Sequence, residues 1–173
     1  MREIADRERI ESFLSALARE ANRNVTVYLV GGTSAVLIGW RSSTMDIDLA
    51  MRPETDALLR AIPALKERLH VNVELASPDH FIPIPTGWES RSPLVAEMGK
   101  LTVRHFDFSA QALAKIERGH ARDLSDVEAM RRLGLIDPAT VRAQFASIES
   151  QLYRFPAIDP ASFRRSVDEA FPS

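Results

Sequence analysis

Two aspartates separated by one residue are the clearest candidates for chemistry in this chain. Asp46-Ile47-Asp48 opens an apolar run that continues to Met51. Side chains alternate between two faces of an extended strand, so the two carboxylates would share one face and the apolar side chains the other. The strand rise places the roots of the two carboxylates roughly 6–7 Å apart. Such a pair repels itself unless a cation lies between, and carboxylate oxygens suit Mg²⁺.

A glycine pair upstream predicts a second part of the same site. Gly31 and Gly32 follow a β-branched, apolar run over 25–30 and precede a segment compatible with a helix. Glycine allows a ligand to approach the backbone closely. The N–H groups at the start of a helix favour an anion such as phosphate. A phosphate cradle beside a two-carboxylate metal site is what phosphoryl or nucleotidyl transfer requires.

The order and spacing of these motifs resemble the signature of the polymerase-β-type nucleotidyltransferase superfamily. Gly-Gly-Thr at 31–33 is followed by the twelve residues 34–45 and then by Asp-Ile-Asp. The run Arg-Ser-Ser-Thr-Met-Asp-Ile-Asp over 41–48 is similar to small bacterial members related to the AbiEii nucleotidyltransferase toxins. Either motif alone would be weak evidence, because Gly-Gly pairs mark ordinary turns and Asp-x-Asp can be a solvated strand end.

The resemblance implies roles for the residues around the two motifs. Asp46 and Asp48 would hold Mg²⁺, and the segment after the first strand would bind the triphosphate. The residues expected to bind nucleotide there are Gly31, Gly32, Thr33, Ser34, Arg41 and Thr44. Thr33 and Ser34 could equally serve as helix caps, and Arg41 could be an ordinary surface arginine.

Glu74 is the candidate for a third carboxylate. In His70-Val-Asn-Val-Glu-Leu-Ala76 the apolar residues alternate with Asn72 and Glu74, which predicts a strand. The superfamily carries a third acidic residue on the strand beside the Asp-x-Asp strand, and Glu74 matches it as metal ligand or as general base. The alternative is a solvated glutamate on a strand face. Asp79 competes for the role, but it follows Pro78 and indicates a turn.

Farther along the chain, a second stretch resembles the AbiEii-like proteins. Lys115 is one of three lysines in a chain with nineteen arginines, and it is followed by Arg-Asp-x-x-Asp at 122–126. By the resemblance, Lys115 faces the nucleotide phosphates, and Asp123 and Asp126 form the matching acidic pair. A purely structural account also fits, in which Gly119 ends one helix, Asp123 caps the next and Asp126 lies in its first turn.

The elements that would position these residues predict an α/β fold. Strands are expected at 25–30, around 46–51 and at 70–76, with a hairpin formed by 94–98 and 101–108. Amphipathic helices are expected at about 2–22, 33–40 and 54–69, and four more follow Ser109. A proline-rich loop would span 77–93. The fold expected is a small mixed sheet flanked by helices, with residues 1–108 as the nucleotidyltransferase core and 109–173 as a helical part packed on it.

The composition of the chain excludes several classes of protein and of functional site. The chain has 173 residues with a net charge of −2, which gives no general attraction to nucleic acid or membrane. It has no cysteine, which excludes disulfides and thiol chemistry, and its four histidines lack zinc-ligand spacing. The charged first residues and the absence of a long apolar run predict neither a signal peptide nor a membrane-spanning segment. A cytoplasmic protein is the expectation.

The function predicted is Mg²⁺-dependent transfer of a nucleoside monophosphate, from ATP or another nucleoside triphosphate, to an acceptor hydroxyl. By resemblance to the toxins, the acceptor would be a tRNA end or a protein, and a cognate antitoxin could exist. A small-molecule acceptor stays open. The alternative is an inactive nucleotide-binding or protein-interaction module with the same fold. The two hypotheses differ in whether Glu74 converges on Asp46 and Asp48.

Overall fold

The computed structural model describes residues 3–173, which form two compact units. The first comprises residues 3–77 together with Ser92–His105, and the second comprises Pro78–Arg91 and Phe106–Ser173. The chain therefore leaves the first unit after its third strand and returns for the last two. The domain division predicted from the sequence, at residue 108, stays a prediction.

The first unit contains a five-stranded mixed sheet in the order β3-β2-β1-β5-β4. Its strands are β1 (Val25–Leu29), β2 (Ile47–Arg52), β3 (Val73–Leu75), β4 (Leu94–Met98) and β5 (Leu101–His105). The central strand β1 is antiparallel to β2 and parallel to β5, whereas β2 is parallel to β3. The predicted α/β class with a small mixed sheet is confirmed.

Three helices accompany this sheet: α1 (Arg7–Glu20), α2 (Gly31–Ile38) and α3 (Asp56–Leu69). The helices α1 and α3 share one hydrophobic core with the apolar face of the strands, to which β2 contributes Ile47, Leu49 and Met51. Burial of this apolar face fixes the register of β2, because a slip by one residue would turn the aspartates inward.

The second unit is helical. A 3₁₀ helix at Pro78–His80 is followed by α4 (Trp88–Arg91), α5 (Phe108–Arg118), α6 (Ala121–Arg132), α7 (Pro138–Ile148), a 3₁₀ helix at Glu149–Arg154 and α8 (Pro160–Ala170). The expected irregular loop over 77–93 therefore contains two short helical turns. The indole of Trp88 stacks on Phe106 at 4.3 Å and anchors α4 within the unit.

Several predicted boundaries move for local reasons. The first helix begins at Arg7, not near residue 2, because the Asp6 carboxylate caps it by accepting from the Arg9 N–H. The predicted strand at 101–108 ends at His105, because Asp107 caps α5 through the Ser109 N–H. The third helix begins after Thr55, whose hydroxyl accepts from the Leu58 N–H.

Candidate metal and nucleotide site

Two parallel strands place the three acidic candidates side by side. Ile47 pairs with Val73 and Asp48 with Glu74 in the parallel register of β2 and β3. Asp46 lies immediately before β2 and on the same face as Asp48, as the alternation predicts. One carboxylate oxygen from each of Asp46, Asp48 and Glu74 lies within 4.8 Å of the other two. The structure therefore brings the predicted third carboxylate to the predicted pair.

The donor set fits a hard divalent cation. Asp46 and Asp48 are half-buried and Glu74 is exposed, so the cluster lies at the edge of the fold. Octahedral Mg²⁺ holds its ligands at about 2 Å, and the oxygens around it then lie about 3–4 Å apart. Three carboxylates at the observed separations approach that geometry, and their mutual repulsion favours a cation between them.

The glycine turn faces these acids. Gly31 has a φ of +59°, and a Cβ built on it would lie 3.3 Å from Oδ2 of Asp48. The helix α2 begins at Gly31 rather than at Thr33 as predicted, so both glycines belong to its first turn. Its cap residue, Val30, offers no side-chain acceptor to the first N–H groups of the helix. A helix start of this kind favours an anion, and here it adjoins a carboxylate of the candidate metal site.

Thr33 connects this helix to the aspartate segment. Its hydroxyl accepts a hydrogen bond from the Asp48 N–H at 2.9 Å and donates to the Asp46 carbonyl at 3.5 Å. The hydroxyl of Thr44 donates to the same carbonyl at 3.0 Å. Thr33 is fully buried and Thr44 is nearly so. Both hydroxyls therefore hold the aspartates in place, and the assignment of these residues to nucleotide binding stays a prediction.

Ser34 is also engaged inside the fold. Its hydroxyl donates to the Leu29 carbonyl at 3.1 Å and lies 2.9 Å from Nδ1 of His105 on β5. Burial lowers the pKa of His105 to about 4, so the ring is neutral at pH 7. The assignment of Ser34 to phosphate binding stays a prediction. The buried pair fixes the position of α2 on the sheet.

Arg41 follows the C-terminal end of α2, and its guanidinium reaches back to the first turn of the same helix. Its Nη1 is 3.4 Å from the position that a Cβ on Gly32 would occupy, and such a Cβ would also lie 2.9 Å from the Cβ of Thr44. Gly32 therefore has no room for a side chain between these two residues. A guanidinium at a helix N-terminus adds a positive charge where the helix already favours an anion.

The remaining predicted residues lie in the second unit. The ammonium of Lys115 on α5 pairs with Asp126 at 2.8 Å and lies 3.7 Å from Asp123, both on α6. Arg118 forms a bidentate ion pair with Asp123, donating from Nε at 2.8 Å and from Nη2 at 2.5 Å. The structure thus brings Lys115 together with the predicted acidic pair in one buried cluster.

The charges of this cluster compensate each other. Burial alone would raise the pKa of Asp123, but the hydrogen bond from Arg118 and the charges of Arg118 and Lys115 outweigh it and lower the pKa. His120, not Asp123, occupies the N-cap position of α6, and Asp126 lies beyond the first turn. Asp123 thus lies in the first turn of α6 instead of capping it, and Asp126 lies farther along the helix than predicted. Each carboxylate binds a cation of the preceding helix.

A family model matches the chain over residues 8–157 and is described as "nucleotidyltransferase of unknown function (DUF6036)". The match covers both the glycine–aspartate motifs and the lysine–aspartate cluster. The chain belongs to this nucleotidyltransferase family. No curated protein and no solved structure matches it significantly. The predicted nucleotidyltransferase superfamily is thereby supported, whereas the AbiEii-like branch stays a prediction.

Two residues of this nucleotidyltransferase gain importance only in the structure. Asn72 donates from Nδ2 to Oδ1 of Asp46, and Arg118 holds Asp123. The alternation that identified Glu74 also places Asn72 on the same face, so a signal was present for it. Arg118 gave no comparable signal, because a charged residue in the last turn of a helix is common at solvated ends.

Proposed function

We propose that this nucleotidyltransferase moves a nucleoside monophosphate from a nucleoside triphosphate to an acceptor hydroxyl and requires Mg²⁺. The observation that carries the proposal is the convergence of Asp46, Asp48 and Glu74 within 4.8 Å, beside the start of α2. An acidic trio alone could be a solvated cluster. The N-terminus of α2 next to it supplies backbone N–H groups that can bind the phosphates of a nucleoside triphosphate.

The chain's own groups would bind the triphosphate at the start of α2. The backbone N–H groups of Gly32 and Thr33 in its first turn would donate to phosphate oxygens, since the side chain of Val30 caps neither of them. Arg41, whose guanidinium lies against this turn, would offset the negative charge of the phosphates. Glycine at 31 and 32 leaves the backbone accessible.

Asp46 and Asp48, with Glu74, would hold the Mg²⁺ ion. When bound, Mg²⁺ would stabilise the negative charge that develops on the triphosphate during transfer. The acceptor oxygen would form a bond to the α-phosphorus as the bond from that phosphorus to the bridging oxygen breaks, and pyrophosphate would leave with the electron pair. The acceptor proton would pass to a carboxylate, and Glu74, the exposed member of the three, is the candidate.

The identity of the acceptor is inferred only from the resemblance to AbiEii-type toxins. We infer from it a tRNA end or a protein hydroxyl as acceptor, and an antitoxin as partner. By the same likeness, Lys115 would contribute positive charge toward the nucleotide. Its observed partners are Asp126 and Asp123, which would fix the position of the ammonium.

Label transfer tests the proposed function. The protein is incubated with Mg²⁺ and each α-labelled nucleoside triphosphate, in separate reactions with total tRNA, a protein extract and a panel of hydroxylated small molecules. Transfer by the wild type that is lost in Asp48→Ala and kept in Asp168→Ala supports the proposal. Asp168 is a suitable control, because it is exposed on α8 in the second unit.

The inactive-module alternative makes a different forecast for the same samples. A module would bind nucleotide without transferring label to any acceptor, and Asp48→Ala would leave binding unchanged. The convergence of Glu74 on the aspartates favours the enzyme. The absence of both transfer and Mg²⁺-dependent nucleotide binding in the wild type would overturn the proposed function.

A further inference from the structure

We propose that Asn72 is a positioning residue for the metal site and holds Asp46 as a ligand that offers one oxygen. The inference rests on the proposed function, because it concerns the same three carboxylates. Asn72 itself would not touch the ion. Its hydrogen bond would determine which oxygen of Asp46 faces the ion and in what direction that oxygen points.

The backbone register brings the two residues together. Because Ile47 pairs with Val73 and Asp48 with Glu74, Asp46 lies opposite Asn72 on the neighbouring segment. The Ile47 N–H donates to the Asn72 carbonyl at 2.8 Å, which ties the backbones at this point. The polar side chains thus form two cross-strand pairs on one face, with Asn72 beside Asp46 and Glu74 beside Asp48.

The contact between the two side chains gives the two oxygens of Asp46 different roles, one as a hydrogen-bond acceptor and one as a metal ligand. Nδ2 of Asn72 donates to Oδ1 of Asp46. The amide must present its NH₂ group to this oxygen, because its own carbonyl oxygen would repel a carboxylate. The other oxygen, Oδ2, then remains for a cation. A hydrogen bond of this kind fixes the orientation of a metal-binding carboxylate and tunes its affinity.

The choice of asparagine also sets the charge of the site. An aspartate at this position would add a fourth carboxylate to three that already repel each other. An alanine would leave Asp46 free to rotate. The amide of Asn72 donates a hydrogen bond and adds no charge to the site. The net charge of the three carboxylates therefore stays suited to binding a divalent cation and releasing a charged product.

Binding of Mn²⁺ tests the role without any nucleotide or acceptor. Mn²⁺ takes the same oxygen ligands as Mg²⁺, and its affinity can be measured by electron paramagnetic resonance. We expect Asn72→Ala to weaken Mn²⁺ binding about ten-fold or more, the effect typical of groups that orient metal ligands. Asn24→Ala, which changes an exposed asparagine before β1, should leave the affinity unchanged. Melting temperatures in chelator confirm that the variants fold.

A double-mutant cycle separates positioning from a general structural effect. If Asn72 acts through Asp46, Asn72→Ala should change Mn²⁺ affinity less than two-fold when Asp46→Ala is already present. Its full effect should persist in a Glu74→Gln background. Equal effects in both backgrounds would overturn the inference. Asn72→Thr, which suits extended backbone but is too short to reach Asp46, should reproduce the loss seen with alanine.

The outcomes distinguish this inference from the proposed function. Wild-type affinity in both Asn72→Ala and Asn72→Thr would overturn the role of Asn72 and leave the three-carboxylate site standing. No Mn²⁺ binding by the wild type would overturn the metal site and, with it, both proposals. Loss of binding in the Asn72 variants that is confined to backgrounds containing Asp46 would support the inference.

Discussion

Thr33 shows how one buried hydroxyl can support a site that it does not enter. It accepts from the Asp48 N–H at 2.9 Å and has no exposed surface. We expect Thr33→Val to destabilise the protein by about 1–3 kcal/mol, because a partly buried N–H loses its acceptor. Urea denaturation measures this loss. Thr33→Ser keeps the hydroxyl and should lose less, and equal losses in both variants would contradict the role of the hydrogen bond.

His105 predicts a pH dependence of stability. Its pKa is about 4 in the native protein and 6.5 in the reference state, because burial disfavours the charged ring. Unfolding therefore takes up a proton between these two values, so stability should fall as the pH drops from 6.5 to 4, by at most about 3 kcal/mol from this group. Below pH 4 its contribution should stay constant.

Urea denaturation between pH 7 and 4 tests this dependence by comparing wild type with His105→Gln. The variant should show a shallower loss of stability over the range, since it has no ring to protonate. His80→Gln, which changes an exposed histidine in the second unit, should keep the wild-type slope. Parallel curves for the wild type and His105→Gln would contradict a buried neutral ring.

At the residue scale, the sequence predicts acids better than the groups that support them. Asp46, Asp48 and Glu74 follow from alternation along two strands, and their convergence is what the register then produces. For Thr33 the sequence predicts a phosphate ligand or a helix cap, and the structure adds that its hydroxyl hydrogen-bonds the aspartate segment. Its inward direction depends on how α2 sits on β2, which no local pattern specifies.

Among the elements, the start of α2 offers a matched test of glycine. Gly31 and Gly99 have nearly equal φ values, +59° and +60°, but a Cβ on Gly31 would lie 3.3 Å from Asp48 and one on Gly99 would meet no atom within 4 Å. Alanine at either position should cost about 1–2 kcal/mol through the left-handed backbone. Gly31→Ala alone should also weaken Mn²⁺ binding, because it would crowd the Asp48 carboxylate that we propose as a metal ligand. Equal Mn²⁺ affinities for the two variants would contradict the proximity of turn and metal.

The pairing of α5 with α6 gives a prediction about stability. Lys115 and Asp126 are 2.8 Å apart with 8% and 4% of their side chains exposed. Lys115→Met should cost about 3–5 kcal/mol, because it leaves a buried carboxylate without its cation. Adding Asp126→Asn should recover part of the loss. Lys100→Met, at an exposed turn, serves as the control in chemical denaturation, and a similar small loss for both lysines would contradict the prediction.

The elements themselves were largely predictable, and their ends were not. Strand β1 and the hairpin follow from β-branched and alternating runs. The sequence predicts the start of α2 two residues later than observed, because glycine is a poor helix former and the Gly-Gly pair indicates a turn. The helix begins there because Gly31 can adopt the positive φ that directs the chain from β1 into it.

At the scale of the whole molecule, the fold class could be predicted and the path between the units could not. Alternating strands and helices over the first half predict an α/β sheet, which is observed. The residues Pro78–Arg91 belong to the second unit although they precede β4 and β5. A proline-rich stretch predicts a loop whichever unit it joins, so the sequence carried no signal for this crossing. In residues 3–173, no helix is both long and apolar enough to span a membrane.

The central claim is that three carboxylates and the first turn of α2 form one site for a divalent cation and a triphosphate. A crystal soaked with Mn²⁺ and a non-hydrolysable nucleoside triphosphate tests it most directly, because anomalous scattering locates the ion. We predict one strong peak bounded by oxygens of Asp46, Asp48 and Glu74, with a phosphate group against the N–H groups of α2. Nucleotide bound elsewhere in the protein, with these three carboxylates free of metal, would contradict the account.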